Sequence, residues 1–293
     1  MALLLCADIG NSHTTLGLLD DGEVVEHWRV ATVESRTADE WNVLIRGLMH
    51  QSREMSDLRE ITGIAVCATV PSVLHEWRDM LAHHFEAVPS VVVEPGVRTG
   101  VPVLMDNPRE VGADRVVNAL AAATLYDGPA IVVDFGTATT FDVVSPKGEY
   151  IGGAISPGID ISLEALGRRG AQLRKVELLR PRSVIAKNTV EAVQSGMVFG
   201  FASQVDGIVD RIIDELGVEP SAVHVIATGG LAPVVVDECR SITDHQPWLT
   251  LRGLELVFQL NESRTGAGAR PAPAAARPAE GRPAGSPAAG PRA

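Results

Sequence analysis

The fold is decided by one stretch, Asp8-Ile9-Gly10-Asn11-Ser12-His13-Thr14-Thr15, which ends an apolar run at residues 3–7. A second apolar run, residues 130–133, ends in a similar stretch at 134–140, Asp-Phe-Gly-Thr-Ala-Thr-Thr. Each stretch is followed by a strand pattern, a glycine turn and another strand pattern, and Gly22 lies as far after Asp8 as Gly148 lies after Asp134. One Asp-x-Gly alone is typical of an ordinary hairpin. Two such units in register predict a duplicated strand–loop–strand–turn–strand unit, and therefore two related halves.

Helical patterns lie between these strands. Thr37 and Glu40 have the spacing of a capping box, and apolar residues then recur at helical spacing. Further helices are predicted from Pro71, over 112–126 and from about 188 to 216. The pattern predicts an α/β protein of two lobes, each a mixed sheet flanked by helices. We place the lobes at residues 1–127 and 128–261, and we expect the Pro-, Ala- and Arg-rich segment 262–293 to be disordered.

The composition argues against several partners and compartments. A formal net charge of −12 disfavours binding to nucleic acid or to a membrane surface. No apolar run is long enough to span a bilayer, and the first residues lack the basic start of a signal peptide. The scattered cysteines Cys6, Cys67 and Cys239 lie in apolar runs, as free thiols do in a reducing compartment. We therefore expect a cytoplasmic protein.

The two Asp-x-Gly strand ends are candidate phosphate loops. Such a turn exposes backbone amides, and its glycine lets phosphate oxygens approach closely. Hydroxyl donors are available at Thr14, Thr137 and Thr139. Asp8 and Asp134 could hold the cations that screen a triphosphate. With a third Gly-rich strand end at 228–230, the pattern resembles the actin-like superfamily of sugar kinases and chaperone ATPases, which implies two ribonuclease H-like lobes with ATP in the cleft between them.

A candidate general base lies at the start of the helix predicted over 112–126. Asp114 falls in its first turn, where the helix dipole favours an ionised carboxylate. There it could accept the proton of an alcohol that attacks the γ-phosphorus of ATP. Arg115 could hold an anionic or hydroxylated substrate. The structural alternative is a simple ion pair between these two neighbours.

Five motifs, in order and spacing, resemble type III pantothenate kinase over residues 1 to about 260. They are residues 8–12, 108–115, 134–139, 152–158, and 187–189 with 195–196. The resemblance implies transfer of phosphate from ATP, with Mg²⁺, to pantothenate. The product would be 4′-phosphopantothenate, which is formed in the first step of coenzyme A synthesis.

The resemblance also implies a role for each motif. Asp114 would be the general base, and the residues that contact pantothenate would be Met105, Gly112, Ala113, Asp114, Arg115 and Thr189. ATP would be bound by Asp8, Ile9, Gly10, Asn11, Ser12, His13, Thr14, Thr15 and Thr137. Asp134 would bind a monovalent cation, K⁺ or NH₄⁺, and Asp8 would reach Mg²⁺ through water. The family is a homodimer with the pantothenate pocket at the subunit interface, so Thr189 would act on the neighbour's substrate.

Two departures from the family and two alternative functions stay open. Many members have Tyr where this chain has Met105, which cannot hydrogen-bond, and Thr where it has Ser12. One alternative is a kinase of the same fold that acts on another small alcohol, such as a sugar. The other is a non-catalytic regulatory homologue, against which the acidic residues kept at 8, 114 and 134 argue.

Overall fold

The computed structural model describes residues 3–51, 61–169 and 176–265 and contains two five-stranded sheets flanked by helices. Both sheets are mixed, so the predicted α/β class with two similar lobes is confirmed. Among the described helices, none combines the length and the apolar character that crossing a bilayer requires.

The first sheet has the strand order β3-β2-β1-β4-β5. Its strands are β1 (Leu3–Ile9), β2 (His13–Asp20), β3 (Glu23–Ala31), β4 (Ile61–Ala68) and β5 (Ser90–Val92). The first three form an antiparallel meander, whereas β4 runs parallel to β1, and β5 to β4. The central strands β1 and β4 are apolar along most of their length because both of their faces are covered.

The second sheet repeats this plan in the order β10-β9-β6-β7-β8. Its strands are β6 (Ala130–Phe135), β7 (Ala138–Val144), β8 (Tyr150–Pro157), β9 (His224–Thr228) and β10 (Asp244–His245). Strands β6 to β8 form the meander, and β9 and β10 add in parallel. Asp8 and Asp134 therefore occupy equivalent positions, each near the carboxyl end of the strand that joins the meander to the parallel strands.

Helices cover the outer faces of both sheets. Helices α1 (Ala38–Gln51) and α2 (Pro71–His84) pack on the first sheet, and α4 (Ile159–Arg169), α5 (Thr189–Leu216) and α6 (Ala232–Val235) pack on the second. The capping box before α1 is confirmed, since the Thr37 amide donates to Glu40 Oε2 at 2.9 Å and the Glu40 amide to Thr37 Oγ1 at 3.4 Å. Helix α5 begins after Asn188, whose side chain accepts from the Glu191 amide, and ends at Gly217 with a φ of 65°.

Helices α3 (Ala113–Leu125) and α7 (Leu249–Thr265) lie between the two sheets and share one apolar core with them. The last helix follows the second sheet in sequence, yet it packs on the first. Phe258 lies where a Cβ at Gly63 of β4 would stand, so that glycine makes room for α7. The lobe boundary that we placed at residues 127 and 128 therefore separates the two sheets along the chain, but it does not assign α7 to the sheet on which it packs. Helix α7 also extends to Thr265, past the predicted start of the disordered segment, and residues 266–293 lie outside the described residues.

Candidate active site

A cleft of ≈ 610 Å³ opens where the central strands of both sheets end. Four aspartates line it: Asp8 on β1, Asp134 on β6, Asp114 in the first turn of α3 and Asp160 in the first turn of α4. Ser12 Oγ lies 3.3 Å from Thr137 Oγ1, so the two candidate phosphate loops meet there. The fold therefore brings both Asp-x-Gly loops and the candidate base into one site.

Most of the residues predicted to bind ATP line this cleft: they are Asp8, Gly10, Asn11, Ser12, His13, Thr15 and Thr137. Ile9 does not, because its side chain is fully buried in the core under α1 and α2. The hydroxyls of Thr14 and Thr139 do not face the cleft either, contrary to the sequence prediction, because both side chains point into the sheet interior. Thr14 Oγ1 lies 2.9 Å from Thr32 Oγ1, which donates to the Gly10 carbonyl at 2.8 Å. The hydroxyls of Thr14 and Thr32 therefore stabilise the loop, whereas Thr139 Oγ1 is buried without a hydrogen-bond partner among the described residues.

The orientation of the Asp114 side chain depends on the glycine that precedes α3. A Cβ at Gly112 would lie 2.4 Å from Asp114 Oδ1, so only glycine leaves room for this orientation. That oxygen is buried and has no hydrogen-bond partner among the described residues. Burial raises the pKa of Asp114 and outweighs the amide and the charge of Arg115, which lower it. The helix N-terminus is thus the smaller effect, and the carboxylate is a better proton acceptor than a solvated aspartate.

Burial and neighbouring carboxylates destabilise the ionised forms of Asp8 and Asp134. Burial and the charge of Asp114 raise the pKa of Asp8 to about 7, and burial with the charges of Asp114 and Asp8 raises that of Asp134 to about 8. Cys67 Sγ donates to Asp8 Oδ1 at 3.4 Å. Asn118, on α3, donates to Asp134 Oδ2 at 3.4 Å. Two long hydrogen bonds compensate little of this burial, so the cleft favours added positive charge.

The donor set of the cleft fits a cation shared with a ligand. Within the described ranges, no three His, Cys, Asp or Glu side chains are grouped so that they could hold a metal ion. An ion here would complete its coordination with water and phosphate oxygens. Mg²⁺ prefers that arrangement to a cage of protein ligands.

Arg115 does not form the simple ion pair with Asp114 that the sequence left open. Its Nε donates to Asp142 Oδ1 at 2.6 Å. The same carboxylate accepts from the Tyr150 hydroxyl at 3.0 Å and from Thr140 Oγ1 at 3.1 Å. Burial raises the pKa of Asp142 to about 6 even though Arg115 lowers it. The arginine is therefore anchored from the second sheet.

The third Gly-rich strand end, after β9, also lines the cleft. Gly229 has a φ of +90°, and a Cβ there would lie 2.4 Å from Asp134 Oδ1. A Cβ at Gly230 would lie 2.6 Å from Nη1 of Arg29, which extends from β3 and whose Nη2 lies 3.0 Å from His13 Nδ1. Among the described lining residues Arg29 is the one Arg or Lys, against four aspartates. It is a candidate phosphate contact.

The residues predicted to bind pantothenate are only partly in this cleft. Asp114 lines it, whereas Met105, Gly112, Ala113, Arg115 and Thr189 do not. Met105 packs against the core between the sheets, with Sδ 3.4 Å from a Cβ placed on Gly152. Thr189 is exposed at the first residue of α5. One chain therefore brings the candidate base and the candidate phosphate loops together, whereas most of the predicted pantothenate contacts lie outside the cleft.

Sequence reasoning missed Arg29, which lines the cleft, and four residues of the hydrogen-bond networks beside it: Cys67, Asn118, Asp142 and Thr250. Asp142 gave a detectable signal, because it is a charged residue in the otherwise apolar run Phe141–Val144. Asn118 lies one helical turn after Asp114, which puts both on one face of α3. Cys67 and Thr250, whose hydroxyl donates to Asn118 Oδ1 at 2.8 Å, carry no comparable signal in the sequence.

Similarity to known proteins extends over most of the chain. The family model for type III pantothenate kinase matches residues 4–211. A type III pantothenate kinase from Nocardioides sp. is 74% identical over 259 residues, which make up 88% of this chain and 99% of that protein. Another, from Streptomyces griseus, is 64% identical over 264 residues, 89% of this chain and 100% of that protein. A solved structure of a Baf family transcriptional activator from Campylobacter jejuni shares the fold at 18% identity, with a TM-score of 0.54 over 88% of this chain and 99% of that one. This chain belongs to the type III pantothenate kinase family.

Proposed function

We propose that this protein transfers the γ-phosphoryl group of ATP to the primary alcohol of pantothenate and forms 4′-phosphopantothenate, the first step of coenzyme A synthesis. The observation that carries the proposal is the position of Asp114. It lies in the same cleft as both Asp-x-Gly loops and has one oxygen without a partner among the described residues. The Asp114 carboxylate accepts the alcohol proton as the oxygen of pantothenate attacks the γ-phosphorus.

ATP lies between the two candidate phosphate loops in this proposal. The backbone amides at the strand ends and the hydroxyls of Ser12 and Thr137 bind phosphate oxygens. These two hydroxyls belong to different lobes and lie 3.3 Å apart, so one phosphate group can contact both. The position of the triphosphate then directs its γ-phosphorus toward Asp114, which lines the same cleft.

Cations neutralise the charge that accumulates in this acidic cleft. Asp8 would hold nucleotide-bound Mg²⁺ through water, and Asp134 would hold a monovalent cation, K⁺ or NH₄⁺. When bound, these ions screen the phosphates and stabilise negative charge during transfer. The raised pKa values of both carboxyl groups support this assignment, because a carboxylate that is costly to ionise alone gains most from a bound cation.

Steady-state turnover tests the proposed reaction directly. ATP hydrolysis or transfer should require pantothenate, and a panel of other small alcohols, including sugars, should give much lower kcat/KM. Preference for another alcohol would assign the protein to a different kinase activity within the fold. Binding of ATP and pantothenate without turnover would indicate a regulatory homologue.

The monovalent cation gives a second prediction. Potassium or ammonium should raise both kcat and the Tm of wild-type protein measured with ATP, relative to a buffer with a large organic cation, because a ligand that binds only the folded state stabilises it. Asp134→Asn should lose most of both responses. The matched control is Asp79→Asn, a half-exposed residue on α2, which should respond as the wild type does. A wild-type protein indifferent to both ions would contradict the cation site.

A homodimer completes the pantothenate site in this proposal. Large apolar side chains are exposed on β8, on α4, in the segment before α5 and in its first turn: Ile155, Ile161, Leu166, Leu179, Val184, Ile185 and Val190. An exposed apolar surface of this kind is typical of a subunit interface. Thr189 lies outside the cleft of its own chain, which supports contact with the partner's pantothenate.

Complementation between two defective chains tests this arrangement. Thr189→Glu places a carboxylate against anionic pantothenate, yet a Glu in the first turn of α5 is favourable for the helix. In co-expressed Asp114→Asn and Thr189→Glu chains, a hybrid dimer has one site with both residues intact. Activity should return to about a quarter of wild type for random pairing of a two-fold dimer. If Thr189 served its own chain, both sites of the hybrid would be defective and no activity would return.

A further inference from the structure

The buried carboxylate of Asp142 is the best-supported polar group near the base that the proposed chemistry does not use. Its side chain is 0% exposed and accepts three hydrogen bonds, from Arg115 Nε, the Tyr150 hydroxyl and Thr140 Oγ1. The guanidinium of Arg115 also lies 5.8 Å from the centroid of the Tyr150 ring, so the same tyrosine contacts both members of the pair. A fully satisfied buried network of this kind fixes the direction of the arginine.

The direction matters because Arg115 and Asp114 are sequence neighbours. The charge of Arg115 is close enough to act on Asp114, yet the arginine makes its ion pair with Asp142. Asp114 Oδ1 is left without a hydrogen-bond partner among the described residues. A guanidinium paired with the Asp114 carboxylate would compete with the substrate hydroxyl for the base.

We propose that Asp142, supported by Tyr150, is a positioning residue that holds Arg115 away from Asp114 and thereby keeps the base free to contact the substrate hydroxyl. The terminal nitrogens of Arg115 remain available for pantothenate, because the bond to Asp142 uses Nε. This inference rests on the proposed function, in which Asp114 is the base.

The physical argument is a competition between two carboxylates for one cation. Arg115 is only 15% exposed, and a guanidinium so placed without a partner is strongly destabilised. If Asp142 loses its charge, Asp114 is the neighbouring carboxylate that can replace it. Arg115 would then turn to the base, and the rate would fall even though every group that touches substrate is still present.

Kinetics of Asp142→Asn, Arg115→Gln and the double variant test the competition. Asp142→Asn should lower kcat by about 10-fold or more, since removal of a general base costs roughly 10²-fold or more and this variant blocks the base without removing it. Arg115→Gln should mainly raise KM for pantothenate. The double variant should recover kcat at least several-fold relative to Asp142→Asn while its KM stays high, because no arginine is left to block Asp114.

A merely structural role of Asp142 predicts the opposite of this rescue. The double variant would then be no faster than Asp142→Asn, and that result would overturn the proposal. Tyr150→Phe removes one bond to Asp142 and keeps the ring, so it should lower kcat in the same direction by a smaller factor without the risk of misfolding. Tyr126→Phe is the matched control, since it removes a phenol–carboxylate bond to Asp244 at the far end of α3, and it should keep the wild-type kcat.

A crystal structure of Asp142→Asn provides a readout that does not depend on turnover. Arg115 should lie within hydrogen-bond distance of Asp114, and an unchanged Arg115 would overturn the competition. Absence of pantothenate turnover in the wild-type protein would instead count against the proposed function, so the two failures are distinguishable.

Discussion

Replacement of Asp114 by Asn should lower kcat for pantothenate phosphorylation by roughly 10²-fold or more, because an amide cannot accept the alcohol proton in the transition state. The change is almost isosteric, so it keeps the steric fit against Gly112. It also removes a buried carboxylate whose pKa is raised by desolvation. Folding stability should therefore be maintained or increased, and KM for ATP should change little. Steady-state kinetics with both substrates, together with thermal unfolding, measure these effects.

The matched control for this prediction is Asp79→Asn on α2, which changes the same functional group at a half-exposed position that does not line the cleft. It should retain the wild-type kcat. Near wild-type turnover of Asp114→Asn itself would show that another group accepts the proton, and the base assignment would then be wrong.

Most of the fold could be predicted because its two halves share the same sequence pattern. The Asp-x-Gly strand ends, their turns and the strands around them repeat in register, and local capping and glycine signals define the helices between them. The position of α7 could not be predicted in the same way. Its packing on the first sheet depends on the Phe258 ring, which fills the space left by the missing side chain of Gly63. No local sequence pattern in either segment indicates that contact.

The candidate site was predictable only in its outer parts. The loops follow strands and carry recognisable residue types, so the sequence was enough to predict that Asp8, Asp134 and Thr137 lie in one cleft. The direction of a side chain within a strand was harder, and Thr14 shows why: it lies between His13 and Thr15, which both line the cleft, but alternation turns its hydroxyl toward Thr32. Partners that come from distant segments, such as Asp142 for Arg115, require the tertiary structure.

Helix α3 links Asp114, the proposed base, to the proposed nucleotide-binding loops of both lobes. Asp114 lies in its first turn, at the cleft. One turn later, Asn118 donates a hydrogen bond to Asp134 of the second sheet, and the helix packs with α7 between the sheets. Thr250 on α7 donates to Asn118, so the helix that carries the base is tied to both lobes. A change in the relative position of the lobes would therefore move Asp114, the proposed base, relative to the proposed phosphate loops.

Gly112→Ala should lower kcat by roughly 10- to 10²-fold although it removes no side chain from the site, since a misplacement of a catalytic group by about 1 Å can cost that much. The backbone at Gly112 has φ −57° and ψ 143°, which alanine adopts without strain. The added methyl group would lie 2.4 Å from Asp114 Oδ1, so the carboxylate must move. Loss of a glycine N-cap should cost at most about 1 kcal/mol of stability, so the protein should remain folded while its base is displaced.

Two comparisons separate displacement of the base from a general effect of the methyl group. Gly47→Ala on α1 adds a methyl group with no atom within 4 Å of it, so it should keep the wild-type kcat and gain stability through helix propensity. Gly112→Ala combined with Asp114→Asn should be no slower than Asp114→Asn alone, because both changes act on the same carboxylate and their costs do not add. A double variant that loses the full product of the two factors would show that Gly112 acts on something other than the position of Asp114, such as the contact of the segment with pantothenate.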